Sequence, residues 1–289
     1  MNSAYYSIIA LTFRELWSRK ITLALFIVST LIWLTLMFAL GLDVVEGSLA
    51  GIRIFGQSAE PTQSHWDQEA GEVVRSALSL EAVVIGIESF VAGAAYWAAT
   101  LLGLFATAPL LGTTLQRGRV DLMLSKPVGR SGILAAHVLG VVVVFAVLTA
   151  YLMGMVWLVM SVKAGIWYPR FLIAIPISIL MFTVMYSVVV LATVTTDSTA
   201  LALIVSYGLI FVSIVFLGRE QIVPQLSMTG RMAFMALYHV LPNFAEVTGT
   251  VTQLARNASV TTWYPTMSAG LFGIVMYVLT FRSFQRRDY

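Results

Sequence analysis

The chain has 289 residues, of which 59% are hydrophobic and only 11% are charged. Soluble domains are typically about 45–50% apolar and about 25% charged, so this composition indicates a polytopic membrane protein. Cysteine is absent, which excludes disulfides and cysteine metal sites, and the net charge of +3 does not indicate nucleic-acid binding, because the basic residues stand at the ends of apolar runs.

An amphipathic segment opens the chain. Residues 3–20 read SAYYSIIALTFRELWSRK, with apolar side chains every three to four positions, which is the period of an amphipathic helix. Such a helix suits the membrane interface, with its apolar face in lipid. The alternative is a helix packed on a partner protein. Trp17, Arg19 and Lys20 lead directly into an apolar run and favour the interface.

The first membrane span is predicted at residues 21–42, an uncharged run long enough for the roughly 30 Å hydrocarbon core. The loop at residues 43–80 follows, and we expect a short helix over the bilayer at its end, within residues 66–79. Its acidic residues are Asp43, Glu46, Glu60, Asp67, Glu69 and Glu72, with Glu81 just beyond, and its basic residues are Arg53 and Arg75. The positive-inside rule therefore places this loop outside.

Five further spans are predicted at residues 83–113, 134–162, 171–194, 200–217 and 266–281. A tight inner turn lies at residues 195–199, where Asp197 or Ser198 can cap the next helix. A second outer loop, residues 218–265, should hold two short helices separated by Pro242. The chain ends with several arginines, which indicates a cytoplasmic end. The prediction is an all-α, six-span, single transmembrane domain over residues 1–289, with both termini cytoplasmic.

No catalytic or cofactor-binding pattern is present. The three histidines lie in different regions, and none has another histidine at metal-ligand spacing. The nucleotide-binding glycine motifs and the G-x-S-x-G nucleophile motif are missing. We therefore expect a non-catalytic chain that binds no cofactor or metal itself.

Glu88 is the one acidic residue that the pattern places near membrane depth. An ionisable group there is costly and is by default a functional candidate, here for a substrate pathway. The alternative, which the sequence favours, is a span that begins later and leaves Glu88 at the lipid headgroups.

Small residues are concentrated in the second span, in AGAAYWAATLLG at residues 92–103. They form a helix face on which another helix can approach closely. That face either packs within the chain or forms an interface with a second copy, and the sequence does not separate the two.

Residues 114–133, here called the basic segment, interrupt two apolar runs. We expect a short helix parallel to the membrane, because Gly118 permits a break, Asp121 complements a helix N-terminus, and Pro127 stops the helix. The positive charge of the basic segment is the clearest indication of a cytoplasmic side anywhere in the chain. The residues that we expect to contact a partner there are Arg117, Gly118, Arg119, Asp121, Leu122, Leu124, Ser125, Lys126, Pro127 and Arg130. The alternative is an ordinary basic loop, which would need no apolar face.

Four stretches carry a resemblance to a known family. They are GRVDLMLSKPVGR with the following ILAAHVLG, the start FRELWSRK, the stretch YHVLPNFAEV at residues 238–247, and the ending at residues 284–288. Together they resemble type-2 ATP-binding-cassette (ABC) exporter permeases, particularly those of copper-enzyme maturation and of unassigned bacterial exporters. His137 stands where that family often has lysine.

The resemblance implies six membrane helices, an interfacial elbow helix at residues 3–20 and a cytoplasmic coupling helix within the basic segment. It also implies two copies of a separate ABC ATPase, which would bind ATP and magnesium, and a second permease, expected to be a copy of this chain. The location would be the bacterial inner membrane, in contact with lipid, and the outer loops are long enough to meet an extracytoplasmic partner. The substrate does not carry over.

Two other functions stay open. A secondary transporter driven by an ion gradient usually has charged or broken helices at mid-membrane, and these spans are almost free of charge apart from Glu88. A non-transporting membrane scaffold would also fit the composition.

Overall fold

The computed structural model describes residues 20–45, 48–55, 57–59, 62–67, 72–77, 79–114 and 130–286. Six of its helices are long and apolar enough to cross a membrane. They are α1 (Lys20–Ala39), α2 (Leu80–Thr114), α3 (Arg130–Ala164), α4 (Ala174–Thr196), α5 (Thr199–Leu217) and α9 (Tyr264–Gln285). The all-α, six-span prediction is therefore confirmed, and most predicted span bounds lie within a few residues of the observed ones.

Contacts at the helix ends define two faces of the bundle. At the turn face, α2 ends, α3 begins and α4 turns into α5 through Asp197, which has a left-handed φ of 56°. Ser198 caps α5 by accepting a hydrogen bond from the backbone N–H of Leu201 at 3.3 Å, so the second of the two expected caps is the one used. The opposite side, where the two long loops lie, is here called the loop face.

The loop between α1 and α2 contains strands. β1 (Leu40–Val45), β2 (Ser48–Ile54) and β3 (Gln57–Ala59) form one antiparallel sheet, and β4 (Thr62–Asp67) and β5 (Glu72–Ala77) form another. The short helix expected within residues 66–79 is therefore wrong. The partner strand satisfies the backbone groups that a helix would satisfy internally.

The second long loop folds as helices. A short helix α6 (Arg219–Ile222) is followed by α7 (Met228–Val240) and α8 (Phe244–Ala255). This confirms the two helices predicted on either side of Pro242. The α8 helix returns into the bundle, since Phe244, Val247, Val251 and Ala255 are all 0% exposed.

The core is centred on α4. Two thirds of its apolar span, 67%, is buried within the chain, compared with 17% of the span in α1. Phe182 of α4 stacks on Phe145 of α3 with ring centroids 3.7 Å apart, and Tyr277 of α9 donates a hydrogen bond to the carbonyl of Thr183 at 3.0 Å. The remaining spans therefore surround α4, and α1 lies at the edge.

Gly103 of α2 faces the Phe145–Phe182 pair, and a Cβ atom at this position would lie 3.0 Å from both rings. We expect Gly103→Ala to destabilise the chain by about 1–3 kcal/mol, because the stacked rings must shift by a few tenths of an ångström to admit the methyl group. Gly154→Ala is the matched control, since a Cβ there meets nothing within 4 Å. That variant should gain up to about 1 kcal/mol in its helix. Thermal unfolding in detergent measures both, and equal midpoints would contradict the packing argument.

Candidate functional site

The turn face holds the two ends to which the basic segment is attached. Leu110 and Leu111 near the end of α2 are 0% exposed, and Ile133 and Leu134 near the start of α3 are 6% and 2% exposed. Side chains this well buried fix the position of both helices. The basic segment is thus tethered at each end to the packed core.

The α4–α5 turn lies beside this attachment point. A Cβ atom on Gly112 of α2 would lie only 2.5 Å from Thr199 Cγ2 of α5. The end of α2 and the α4–α5 turn therefore share the turn face at close contact.

Most residues predicted to contact a partner lie outside the described residues. These are Arg117, Gly118, Arg119, Asp121, Leu122, Leu124, Ser125, Lys126 and Pro127, and the elbow helix predicted at residues 3–20 lies outside them too, except for Lys20. Arg130 is described as the first residue of α3. His137, two turns further, is buried at 4% exposure. The predicted coupling helix stays a prediction.

A polar cluster lies at the loop face, where α5, α7 and α8 meet. Arg219 donates a hydrogen bond to the Tyr238 hydroxyl, and its guanidinium carbon lies 4.9 Å from the centre of that ring. The Tyr238 hydroxyl donates to Glu246 Oε2 at 2.8 Å, and Arg219 Nη1 lies 3.8 Å from Glu246 Oε1. The three side chains tie α6, which directly follows α5, to α7 and α8.

The second outer loop is also anchored by contacts with helices inside the bundle. Phe244 stacks on Tyr96 of α2 with ring centroids 4.5 Å apart, and the Tyr96 hydroxyl donates to the Phe244 carbonyl at 2.8 Å. Ser213 of α5 accepts a hydrogen bond from the backbone N–H of Ala245 at 3.2 Å. The stretch YHVLPNFAEV, noted in the sequence for its resemblance, thus supplies the contacts that fix α7 and α8.

Tyr238→Phe removes the hydroxyl that joins Arg219 to Glu246. We expect a loss of about 1–3 kcal/mol in unfolding free energy, because two partly buried charged groups lose a hydrogen-bond partner. Tyr264→Phe is the control, since Tyr264 is 41% exposed and stacks on Tyr238 only through its ring, at 6.2 Å. Thermal unfolding in detergent at neutral pH compares the two, and a larger loss in the Tyr264 variant would contradict this role.

The cluster also sets a pH dependence. Burial, the hydrogen bond to Glu246 and the charge of Glu246 raise the pKa of Tyr238 from 10.0 to about 12. A tyrosine with a raised pKa stabilises the folded state fully below pH 10, and this contribution is lost as the pH rises through about 12. Phenolate absorbance, as the difference between wild type and Tyr238→Phe, should therefore appear near pH 12 rather than pH 10.

Glu88 lies inside α2, eight residues after Leu80, or about 12 Å along the helix. Its side chain is 1% exposed, and Oε2 has no hydrogen-bond partner among the described residues. Ala92 and Tyr96, one and two turns further on the same face, are 0% exposed. The carboxyl group is therefore enclosed by protein, and the headgroup depth that the sequence favours stays a prediction.

The small residues of α2 divide between two environments. Gly93 packs within the chain, since a Cβ there would lie 3.3 Å from Thr252 Cγ2 of α8. Ala94 and Ala98 instead line an open cleft beside α1. Within the described residues, no three His, Cys, Asp or Glu side chains come together to hold a metal ion.

The fold defines a class of protein, a multi-pass membrane protein whose sequence carries a charged segment between its second and third spans. The chain matches the family model described as ABC-2 family transporter protein over residues 6–289, and it belongs to that family. It is therefore a permease of an ABC transporter, a component that is generally non-catalytic and whose family implies an ABC ATPase partner. No curated protein and no solved structure matches the chain.

Proposed function

We propose that the chain is the permease of an exporter, and that an ATPase subunit docks on the basic segment. The observation that carries this proposal is the packing at the turn face. Two long helices with buried ends, at Leu111 and Leu134, flank a segment with four basic side chains and one acidic one. Force applied to such a segment is transmitted into α2 and α3, because packed helices move as rigid bodies.

The assembly would contain two ATPase copies and two copies of this chain. ATP and magnesium would bind to the ATPase, since the sequence of this chain has no phosphate-binding loop. The turn face would be cytoplasmic, with both chain termini, and the acidic loop of residues 43–80 would be outside. The location would be the bacterial inner membrane.

Glu88 would lie on the substrate pathway, because an unsatisfied carboxyl oxygen inside a membrane span is costly unless it has a task. Glu88→Gln is expected to lower transport at least several-fold while leaving assembly with the ATPase intact. Glu81→Gln is the matched control, since Glu81 is exposed and accepts a hydrogen bond from Tyr168 at 2.5 Å. Equal transport by the two variants would show that Glu88 is not on the substrate pathway.

The test of the whole proposal uses an ABC ATPase co-expressed with the chain, for which the neighbouring reading frames are the first candidates. The purified chain alone should hydrolyse no ATP, and the co-expressed complex should hydrolyse ATP and lose transport when ATP is depleted. Transport that survives ATP depletion but stops with an uncoupler would instead establish a secondary transporter. Copurification only with proteins that hydrolyse no nucleotide would indicate a scaffold.

A further inference from the structure

A polar cavity of about 430 Å³ lies at the loop face, between the end of α5, the helix α8 and the start of α9. Small-molecule sites are typically clefts of about 300–1,000 Å³ in which a few polar groups converge. The walls of this cavity include the whole cluster of Arg219, Tyr238 and Glu246, together with the apolar residues Leu217 and Pro265. We call this space the loop-face pocket.

One face of α8 is turned toward the loop-face pocket. Glu246, Thr250 and Gln253 follow one another at helical spacing and line the pocket, and Gly249 lies among them. A Cβ atom on Gly249 would meet nothing within 4 Å, and its φ is not positive. Glycine inside a helix is less favourable than alanine, and neither close packing nor backbone geometry requires it here. Its effect is to keep the pocket open.

The charged cluster leaves polar atoms free at the pocket. Arg219 donates a hydrogen bond through Nη1, and its Nε and Nη2 atoms have no acceptor among the described residues. Glu246 accepts a hydrogen bond through Oε2, whereas Oε1 lies 3.8 Å from Arg219 Nη1 and accepts none from the described residues. Both side chains are partly exposed, 41% for Arg219 and 17% for Glu246. The pocket therefore offers cationic donors beside an anionic acceptor.

This pairing of charges selects the charge of an occupant. An anion bound to Arg219 lies close to the Glu246 carboxylate, and a cation bound to Glu246 lies close to the Arg219 guanidinium, so either one alone meets a like charge. A zwitterion places an opposite charge beside each side chain. The free N–H groups of Arg219 suit a phosphate, and the free oxygen of Glu246 suits an ammonium group.

The loop-face pocket lies at the depth where two membrane spans end. Leu217 is the last residue of the span in α5, and Tyr264 is the first residue of the span in α9. Both line the pocket. Trp263, directly before α9, is 42% exposed, and exposed tryptophan and tyrosine are typical of the membrane–water interface. This is the depth of lipid headgroups.

An exposed apolar stripe on α9 begins at the pocket. Tyr264 lines the pocket, and the exposed side chains that follow it at helical spacing along the span are Met267, Leu271, Ile274 and Val278. From Tyr264 to Val278 the stripe rises about 21 Å. The acyl chain of a lipid whose headgroup occupies the pocket can lie along this stripe, whereas a water-soluble zwitterion would make no use of it.

We propose that the loop-face pocket binds the headgroup of a zwitterionic phospholipid with a primary amine, its phosphate on Arg219 and its ammonium group on Glu246. In such a headgroup an oxygen and two carbon atoms separate phosphorus from nitrogen, so both ends reach charges that lie side by side. The bonds on both sides are charge-assisted, which makes them stronger than neutral hydrogen bonds. The acyl chains lie on the α9 stripe. The site does not depend on the ATPase or on the basic segment.

The test uses the purified chain in detergent and a phosphatidylethanolamine with a fluorophore at the end of one acyl chain, whose anisotropy reports binding. Unlabelled phosphatidylethanolamine should displace this probe at about ten-fold lower concentration than phosphatidylmethanol, which has the same phosphodiester but no amine. Ten-fold is about the value of one hydrogen bond to a charged group. Glycerophosphoethanolamine, the headgroup without acyl chains, should need about a hundred-fold more than the lipid, because its contact with the stripe is missing.

Two pairs of variants locate the binding site. Glu246→Gln still accepts a hydrogen bond from Tyr238 but should lose the preference for phosphatidylethanolamine over phosphatidylmethanol. Glu220→Gln, at an exposed position outside the pocket, should keep it. Gly249→Leu fills the pocket and should weaken probe binding at least about ten-fold, whereas Gly270→Leu on α9, where a Cβ also meets nothing within 4 Å, should not.

Thermal unfolding establishes which variants are folded. If Glu246→Gln does not fold, the two leucine variants decide the outcome, since neither residue belongs to the charged cluster. Equal displacement by the two lipids, or equal binding by the two leucine variants, would overturn the proposal. Displacement by glycerophosphoethanolamine at the same concentration as by the lipid would show that the occupant is a water-soluble zwitterion, and the lipid assignment would then be wrong.

Discussion

Asp121→Lys and Leu124→Asp, each introduced alone, are expected to reduce ATP-driven transport at least ten-fold. Asp121 stands near the start of the short helix predicted in the basic segment, where a negative charge complements the helix dipole, and Leu124 lies on its apolar side. Under the proposed function, reversing either property would remove the contact through which the ATPase moves α2 and α3. Transport by the co-expressed complex is the measurement, with ATP hydrolysis recorded in parallel.

The conservative changes Asp121→Glu and Leu124→Met serve as controls, because they keep charge and apolar character. In the reversed variants we expect ATP hydrolysis to persist without transport, or the ATPase to fail to copurify. Unaltered transport in both reversed variants would refute the assignment of the basic segment as the coupling contact, while leaving the family membership intact.

Phe244→Ala is expected to give the largest loss of stability, about 3 kcal/mol. The side chain is 0% exposed and lies between Tyr96 and Trp97, with ring centroids at 4.5 and 4.9 Å. Removing a buried phenylalanine leaves a cavity and typically costs about 3–5 kcal/mol in soluble proteins. The lower end applies here, because packing rather than transfer from water holds membrane helices together.

Phe211→Ala is the matched control, since Phe211 on α5 is 68% exposed. Its unfolding temperature in detergent should change little, while Phe244→Ala should unfold well below wild type. A similar change in both variants would mean that α8 does not depend on its contact with α2. Protease sensitivity within the second outer loop should rise only in the Phe244 variant, because α8 loses its anchor.

The spans were predictable because each element carries its own signal. Uncharged runs of about 20 residues must form helices in lipid, where every backbone group needs a partner within the segment. The α7–α8 pair was predictable for a similar reason, since Pro242 has no backbone N–H and interrupts the helical pattern. Ser198 as a cap followed from the local chemistry of its hydroxyl group.

Strand pairing was not predictable in the same way. β4 and β5 depend on each other for their backbone hydrogen bonds, with Thr62 opposite Ala77 and Asp67 opposite Glu72. No local pattern in residues 66–79 contains that partner, so a helix was an equally good interpretation.

Tertiary contacts also decide which polar residues matter. Arg219, Tyr238 and Glu246 meet although 19 and eight residues separate them along the chain, and no spacing rule links the arginine to the other two. Glu88 is enclosed because α2 starts at Leu80 and its inner face is covered by neighbouring helices.

By itself, the sequence determined the membrane class, the number of spans and the family to which its motifs point. These properties depend on composition and on local patterns, because each span enters the bilayer according to its own sequence. Only the tertiary structure decided that Gly93 packs within the chain while Ala98 lines an open cleft beside α1. Side-chain surroundings depend on how helices pack, and in apolar spans that packing follows shape rather than any pattern of polar and apolar residues.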